Sequence, residues 1–154
     1  MASMLICEMA CMYHLRGMNL YQAMQALYEK YGYFQEKALS FVFEGLDGSE
    51  KMRGMMEDLR KDPPAEIGLA VERVRDYQTG EITDCASGEK EPTGLPRSNV
   101  LFYDLAEGCS AIVRPSGTEP KIKLYIMARG KDAAECEERF EKIKAAGVEL
   151  LQRV

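Results

Sequence analysis

The segment Arg114-Pro115-Ser116-Gly117-Thr118-Glu119-Pro120-Lys121 gathers a guanidinium, two hydroxyls, a glycine and a lysine into eight residues. Arg114 offers a planar fork that matches two oxygens of one phosphate, a geometry that lysine lacks. Gly117 permits positive φ and close backbone approach, so successive N–H groups can line a concavity for an anion. Ser116 and Thr118 add hydroxyls. The flanking residues read as two antiparallel strands, Cys109 to Arg114 and Lys121 to Ala128. With Arg114 opposite Lys121, the side chains of Arg114, Lys121 and Lys123 share one sheet face, and Ile122, Leu124 and Ile126 take the core face. A one-residue slip would bury the lysines and expose the isoleucines. A plain structural reading also fits: Pro-Ser-Gly is a good turn, and the cations line a solvated face. Composition leaves the two readings level.

Other chemistry finds less support. The formal charge is −5 over 154 residues, which argues against a general grip on nucleic acid or anionic lipid, since both reward a positive field. Cys7, Cys11, Cys85, Cys109 and Cys136 include no C-x-x-C, and His14 is the one histidine. Neither a disulfide framework nor a zinc site has its ligands, and a reducing cytoplasm fits best. Cys7 and Cys11 share a helix face near His14, but the spacing reads better as packing than as metal ligation. Met1 to Tyr13 is apolar yet lacks a basic n-region and a small-residue cleavage site, and it is shorter than the ~20 residues that span a bilayer. It reads as neither signal peptide nor anchor.

The elements that must position the loop follow from periodicity. Ser3 to Arg16 is apolar at nearly every position, as in a helix buried on most sides. Its abrupt start suggests a piece of a longer protein. Asn19 to Tyr31 is an amphipathic helix with a capping box from Asn19 and Gln22 and a stop at Gly32. Ala38 to Phe43 reads as a strand, closed by Gly45-Leu46-Asp47-Gly48. Asp47 and Glu50 open a helix whose Met52, Met55, Met56 and Leu59 form a core stripe, ended by Asp62-Pro63-Pro64. Leu69 to Tyr77 is a strand with room for a bulge, and residues 79–98 are a long loop with at most a small hairpin around Ile82. Asn99 to Asp104 adds a strand, and a last helix begins at Asp132, with Glu135 completing its capping box. The order β-α-β-β-β-β-α predicts an α+β domain, with an antiparallel sheet and its helices on one face.

Arg-Pro-Ser-Gly-Thr-Glu-Pro-Lys-Ile-Lys-Leu-Tyr (114 to 125) closely resembles the phosphate-binding loop of the α-D-phosphohexomutases, the phosphoglucomutase and phosphomannomutase family. Tyr28-Glu-Lys-Tyr-Gly, Pro63-Pro64, Val74-Arg-Asp-Tyr and Pro92-Thr-Gly-Leu-Pro also look like bacterial members, so the resemblance covers essentially the whole chain. It implies that residues 1–38 are the C-terminal helices of a truncated α/β third domain. Residues 39–154 would then be the fourth domain, with a TATA-box-binding-protein-like fold. The fold name carries no DNA binding with it.

By the same resemblance, the full enzyme interconverts hexose 1-phosphate and hexose 6-phosphate, with Mg2+ and a hexose 1,6-bisphosphate activator. The family's Thr-Ala-Ser-His-Asn-Pro, Asp-x-Asp-x-Asp and Gly-Glu-x-Ser-Gly loops are missing from this sequence. The expectation is therefore no catalytic residue, no metal and no mutase activity here, with domains 1–3 of the same polypeptide as partners. Arg114, Ser116, Gly117, Thr118 and Lys123 match the family residues that hold the phosphate not being transferred, and Lys121 is a further candidate. Some relatives carry arginine at the position of Lys123, or asparagine at that of Gly117. Domain swinging on a link around residues 32–40 would do the gating. The alternative is a small α+β regulatory or interaction module, with self-association through the apolar first helix.

Overall fold

The computed structural model describes residues 1–45 and 47–152. Two helices lead, α1 (Ala2–Leu15) and α2 (Leu20–Tyr31), followed by strand β1 (Tyr33–Val42) and helix α3 (Gly48–Lys61). Then come β2 (Val71–Asp76), β3 (Glu81–Asp84), β4 (Lys90–Pro92), β5 (Leu101–Leu105), a 3-10 turn at Ala106–Gly108, β6 (Cys109–Pro115), β7 (Lys121–Gly130) and α4 (Ala133–Gln152). The strands form one sheet in the order β1-β7-β6-β5-β2-β3-β4, with every neighbouring pair antiparallel.

Alternation decides what each face does. Leu101, Tyr103 and Leu105 of β5, Cys109, Ala111 and Val113 of β6, and Ile122, Leu124 and Ile126 of β7 are all buried on one face. Met55, Met56 and Leu59 of α3 and Cys136, Phe140 and Ile143 of α4 close over them in a single core. The methionine stripe is core, as its spacing requires. The other face, with Arg73, Arg75, Asp104, Arg114, Lys123 and Tyr125, is left open. The α+β class, with both helices on one side of an antiparallel sheet, is as read from the sequence.

Capping explains where helices begin. The Asn19 side chain accepts from the Gln22 amide at 2.8 Å, and the Gln22 side chain accepts from the Asn19 amide at 2.9 Å. Asp132 accepts from the Glu135 amide at 2.8 Å, while the Glu135 carboxylate reaches back one residue further than a standard box, to the Lys131 amide at 2.7 Å. Asp47 departs from expectation. It holds the N-cap position of α3 without a side-chain cap bond and pairs with Lys51 at 2.9 Å instead. The hydrogen bond from Lys51 holds its carboxyl below the usual range.

Four further readings are corrected. β1 starts at Tyr33, not Ala38, and pairs with β7 from Tyr33–Gly130 to Val42–Lys121. Gln35, Glu36 and Lys37 hide this from pattern reading, because an edge strand meets water on both faces near one end. Of the link placed around residues 32–40, residues 33–40 are therefore paired to β7, and Gly32 just before them takes φ +94°. The small hairpin read around Ile82 within residues 79–98, by contrast, is present as β3 and β4. Helix α1, read as buried on most sides, has no buried residue; Leu5 is 59% and Leu15 86% exposed. One neighbouring helix cannot cover a surface that is apolar all round. Cys7 and Cys11 are exposed with it, so they do not act as core hydrophobes. The turn read at Gly45 to Gly48 includes Leu46, which lies outside the described residues, as do Arg153 and Val154. No described helix is long and apolar enough to cross a membrane.

Candidate functional site

Pro115 ends β6 and Lys121 begins β7, so Ser116 to Pro120 form a five-residue loop between them. Three backbone bonds fix its base. The Ser116 amide donates to the Lys121 carbonyl, the Lys121 amide to the Glu119 carbonyl, and the Phe43 amide, just past β1, to the Pro120 carbonyl, each at 2.8 Å. Gly48, at the start of α3, sits under this junction. A Cβ there would lie 2.3 Å from the Phe43 carbonyl oxygen and 3.3 Å from Pro120 Cβ. A side chain at residue 48 would thus lever the loop away from the sheet. The sequence reading missed Gly48, because nothing in a Gly-Ser-Glu start says what lies beneath it.

Above that base, the loop is open. A cavity of about 250 Å³ is lined by Arg114, Pro115, Ser116, Gly117, Thr118, Glu119, Lys121, Lys123 and Tyr125. All six residues singled out from the sequence meet there. Tyr125, missed as a lining residue, follows from the alternation Lys121, Lys123, Tyr125 on one face of β7. Among the described residues the amides of Gly117 and Glu119 have no hydrogen-bond acceptor, and the Thr118 amide has only a 3.5 Å approach to Ser116 Oγ.

The register is two residues from the one expected. Arg114 pairs with Lys123 rather than Lys121, and Pro115 with Ile122. An even shift preserves parity, so the three cations share the open face as the hydrophobic pattern required. Gly117 is also corrected: it does not take positive φ. No described atom lies within 4 Å of where its Cβ would be, so its contribution is open space above the backbone.

Charge divides the cations. Lys121 pairs with Glu119 of the same loop, and that hydrogen bond holds the Glu119 carboxyl below its usual range, with a smaller contribution from Lys123. Arg114 and Lys123 stand directly opposite each other, and among the described residues neither has a carboxylate within 4 Å. Like charges facing across a strand pair are unfavourable. An anion between them would relieve that repulsion and accept from the loop amides.

Residues 52–146 match the model of the phosphoglucomutase/phosphomannomutase C-terminal domain. The chain belongs to this family. It is 35% identical over 126 residues to a phosphoglucomutase of Staphylococcus saprophyticus, covering 81% of this chain and 23% of that protein. A Staphylococcus epidermidis phosphoglucomutase is 39% identical over 111 residues, covering 71% and 20%. The open form of pp63/parafusin, a Paramecium phosphoglucomutase, shares the fold at TM-score 0.53 and 13% identity, over 86% of this chain and 22% of its own. The chain thus spans less than a quarter of these relatives' length. Its α+β architecture is the TATA-box-binding-protein-like domain that the resemblance implied, with β3 and β4 added to the expected strands.

Among the described residues no group of three or more His, Cys, Asp or Glu side chains is placed to hold a metal ion.

Proposed function

We propose that this domain holds the phosphate of a hexose phosphate that is not being transferred, in a phosphoglucomutase/phosphomannomutase that interconverts hexose 1- and 6-phosphates. Arg114 grips two phosphate oxygens, Lys123 supplies a second charge, and the Gly117 and Glu119 amides with the Ser116 and Thr118 hydroxyls complete the cradle. Lys121 contributes less, because Glu119 already neutralises it. The observation that carries this reading is the Arg114–Lys123 pair, two facing cations without a carboxylate at the mouth of a donor-lined turn.

Such a clamp spends binding energy far from the reacting oxygen to fix the substrate's position, which lowers the entropic cost of the chemical step. Transfer itself, with Mg2+ and the 1,6-bisphosphate, belongs to domains 1–3 of the same polypeptide, in the cytoplasm. The boundary between the third and fourth domains then falls at Gly32 rather than residue 38, since β1 is wholly paired to β7. Closure of the clamp over substrate would turn at that glycine.

Without the sugar contacts, the affinity is expected to be millimolar, about −4 kcal/mol. At a concentration about a hundred times its dissociation constant, glucose 6-phosphate should stabilise the domain by about 2.7 kcal/mol, relative to glucose at matched ionic strength. Thermal unfolding of the wild-type chain and of Arg114→Ala reads this. Equal stabilisation of both would remove Arg114 from the site, and none in the wild type would remove the clamp.

A further inference from the structure

The two edges of the sheet are built differently. At one edge β4 has three residues, Lys90, Glu91 and Pro92. Shortness, charge and a proline are the usual protections against pairing with another chain. At the other edge β1 runs for ten residues without proline. Phe43, just past β1, donates its amide to Pro120, so the odd-numbered residues face β7. Alternation then turns the N–H and C=O groups of Phe34, Glu36, Ala38, Ser40 and Val42 outward. Among the described residues no backbone or side-chain group bonds to them. Phe34 and Val42 are also 49% and 66% exposed, on the open face of the sheet.

We propose that β1 pairs antiparallel with β1 of a second copy of the chain, about a two-fold axis through Ala38, joining two sheets into one. A two-fold axis normal to the sheet keeps residues of the same parity opposite each other, and side-chain chemistry then selects the register. With the axis at Ala38, Phe34 faces the partner's Val42, Glu36 faces the partner's Ser40 and Lys37 faces the partner's Leu39. Both exposed hydrophobes are covered, no like charges meet, and residues 34–42 all pair. Moving the axis to Lys37 sets lysine against lysine, and moving it to Glu36 sets glutamate against glutamate, each unfavourable. An axis at Leu39 drops Phe34 from the ladder and puts Glu36 against Val42. The sequence of β1 is thus complementary to itself in one register.

Sedimentation of the full 154-residue chain tests this, with Ala38→Pro, Ala38→Lys and an α1 variant carrying Leu5→Glu and Met9→Lys. Ala38→Pro removes only an outward N–H, as edge positions tolerate; Ala38→Lys keeps every backbone bond but sets two cations on the axis. The expected result is a concentration-dependent dimer in the wild type and in the α1 variant. Its dissociation constant should rise at least tenfold in both Ala38 variants, and the amides of Glu36, Ala38 and Ser40 should exchange more slowly as the dimer forms. Should circular dichroism find Ala38→Pro unfolded, Ala38→Lys decides. A chain monomeric up to millimolar concentration, a dimer indifferent to Ala38→Lys, or a dimer that the α1 variant dissociates while those amides stay unprotected would each overturn the proposal.

Discussion

Arg114 and Arg139 stand at opposite ends of the β6–β7 pair, and their surroundings are opposite too. Arg139 donates to the Arg129 carbonyl at 2.8 Å, to Glu107 at 3.1 Å and to Glu135 at 3.2 Å, and its side chain is 17% exposed. Glu107 takes φ +63° at its place in the turn. Arg114 has no such partners among the described residues, although the chain carries 25 acidic residues against 20 basic ones. A guanidinium saturated by its own protein is a structural clamp. One left facing another cation beside free amides is arranged for something that arrives from outside.

That contrast can be broken by experiment. The largest effect is expected at the saturated end, from Gly130→Ala, where a Cβ would lie 2.4 Å from the Cys136 amide nitrogen and 2.9 Å from the Asp132 carbonyl oxygen. The loss should be about 3 kcal/mol in chemical denaturation. Gly117→Ala, at the open end, should stay within about 0.5 kcal/mol. Similar losses at both sites would mean that the ends do not differ in packing.

Next in size, Arg139→Ala should cost about 1–2 kcal/mol, because it removes the bonds to the Arg129 carbonyl and to Glu107 and Glu135 together, while Glu135 keeps the Lys131 amide. Arg114→Ala should change stability by less than about 0.5 kcal/mol. A destabilised Arg114→Ala protein would make that arginine structural as well. Within the loop, Lys123→Ala should weaken glucose 6-phosphate binding several-fold, about 1 kcal/mol, and Lys121→Ala less than about twofold, as read by calorimetric titration. The reverse ranking would mean that Glu119 moves aside and Lys121 is the working cation.

The smallest effect concerns Tyr103, whose hydroxyl is buried without a hydrogen-bond partner among the described residues. Burial pushes its phenol well above the usual value. Its contribution to stability is fully present below the unfolded pKa, about 10, and is lost as pH rises towards the folded one. Tyr103→Phe should leave neutral-pH stability the same or up to about 1 kcal/mol higher and should flatten the decline above pH 10. An unchanged alkaline decline would place its cause in other groups.

How far the sequence could be read depended on whether a residue's partners lie near it in the chain. The capping boxes at Asn19 and Asp132, the Met55-Met56-Leu59 stripe and the Ile122-Leu124-Ile126 alternation depend on local spacing, and all were legible. So was the donor content of the loop at 114–121. Two features depend on distant partners, and a third on a side-chain rotamer. β1 needs β7 to extend it back to Tyr33 through polar residues. Gly48 matters because Phe43 and Pro120 close over it. Lys121 loses its free charge to a glutamate two residues away, a rotamer choice that a sequence does not encode. The exposed surface of α1 is the opposite case: the apolar sequence promises a cover that the described chain does not contain.

The clamp is tested most directly by following the backbone amide resonances of Ser116, Gly117, Thr118 and Glu119 during titration with glucose 6-phosphate. Saturable shifts are expected at these amides with a millimolar midpoint, reproduced by inorganic phosphate, absent with glucose and lost in Arg114→Ala. Unmoved loop amides at saturating ligand in a folded chain, or equal shifts in Arg114→Ala, would contradict it.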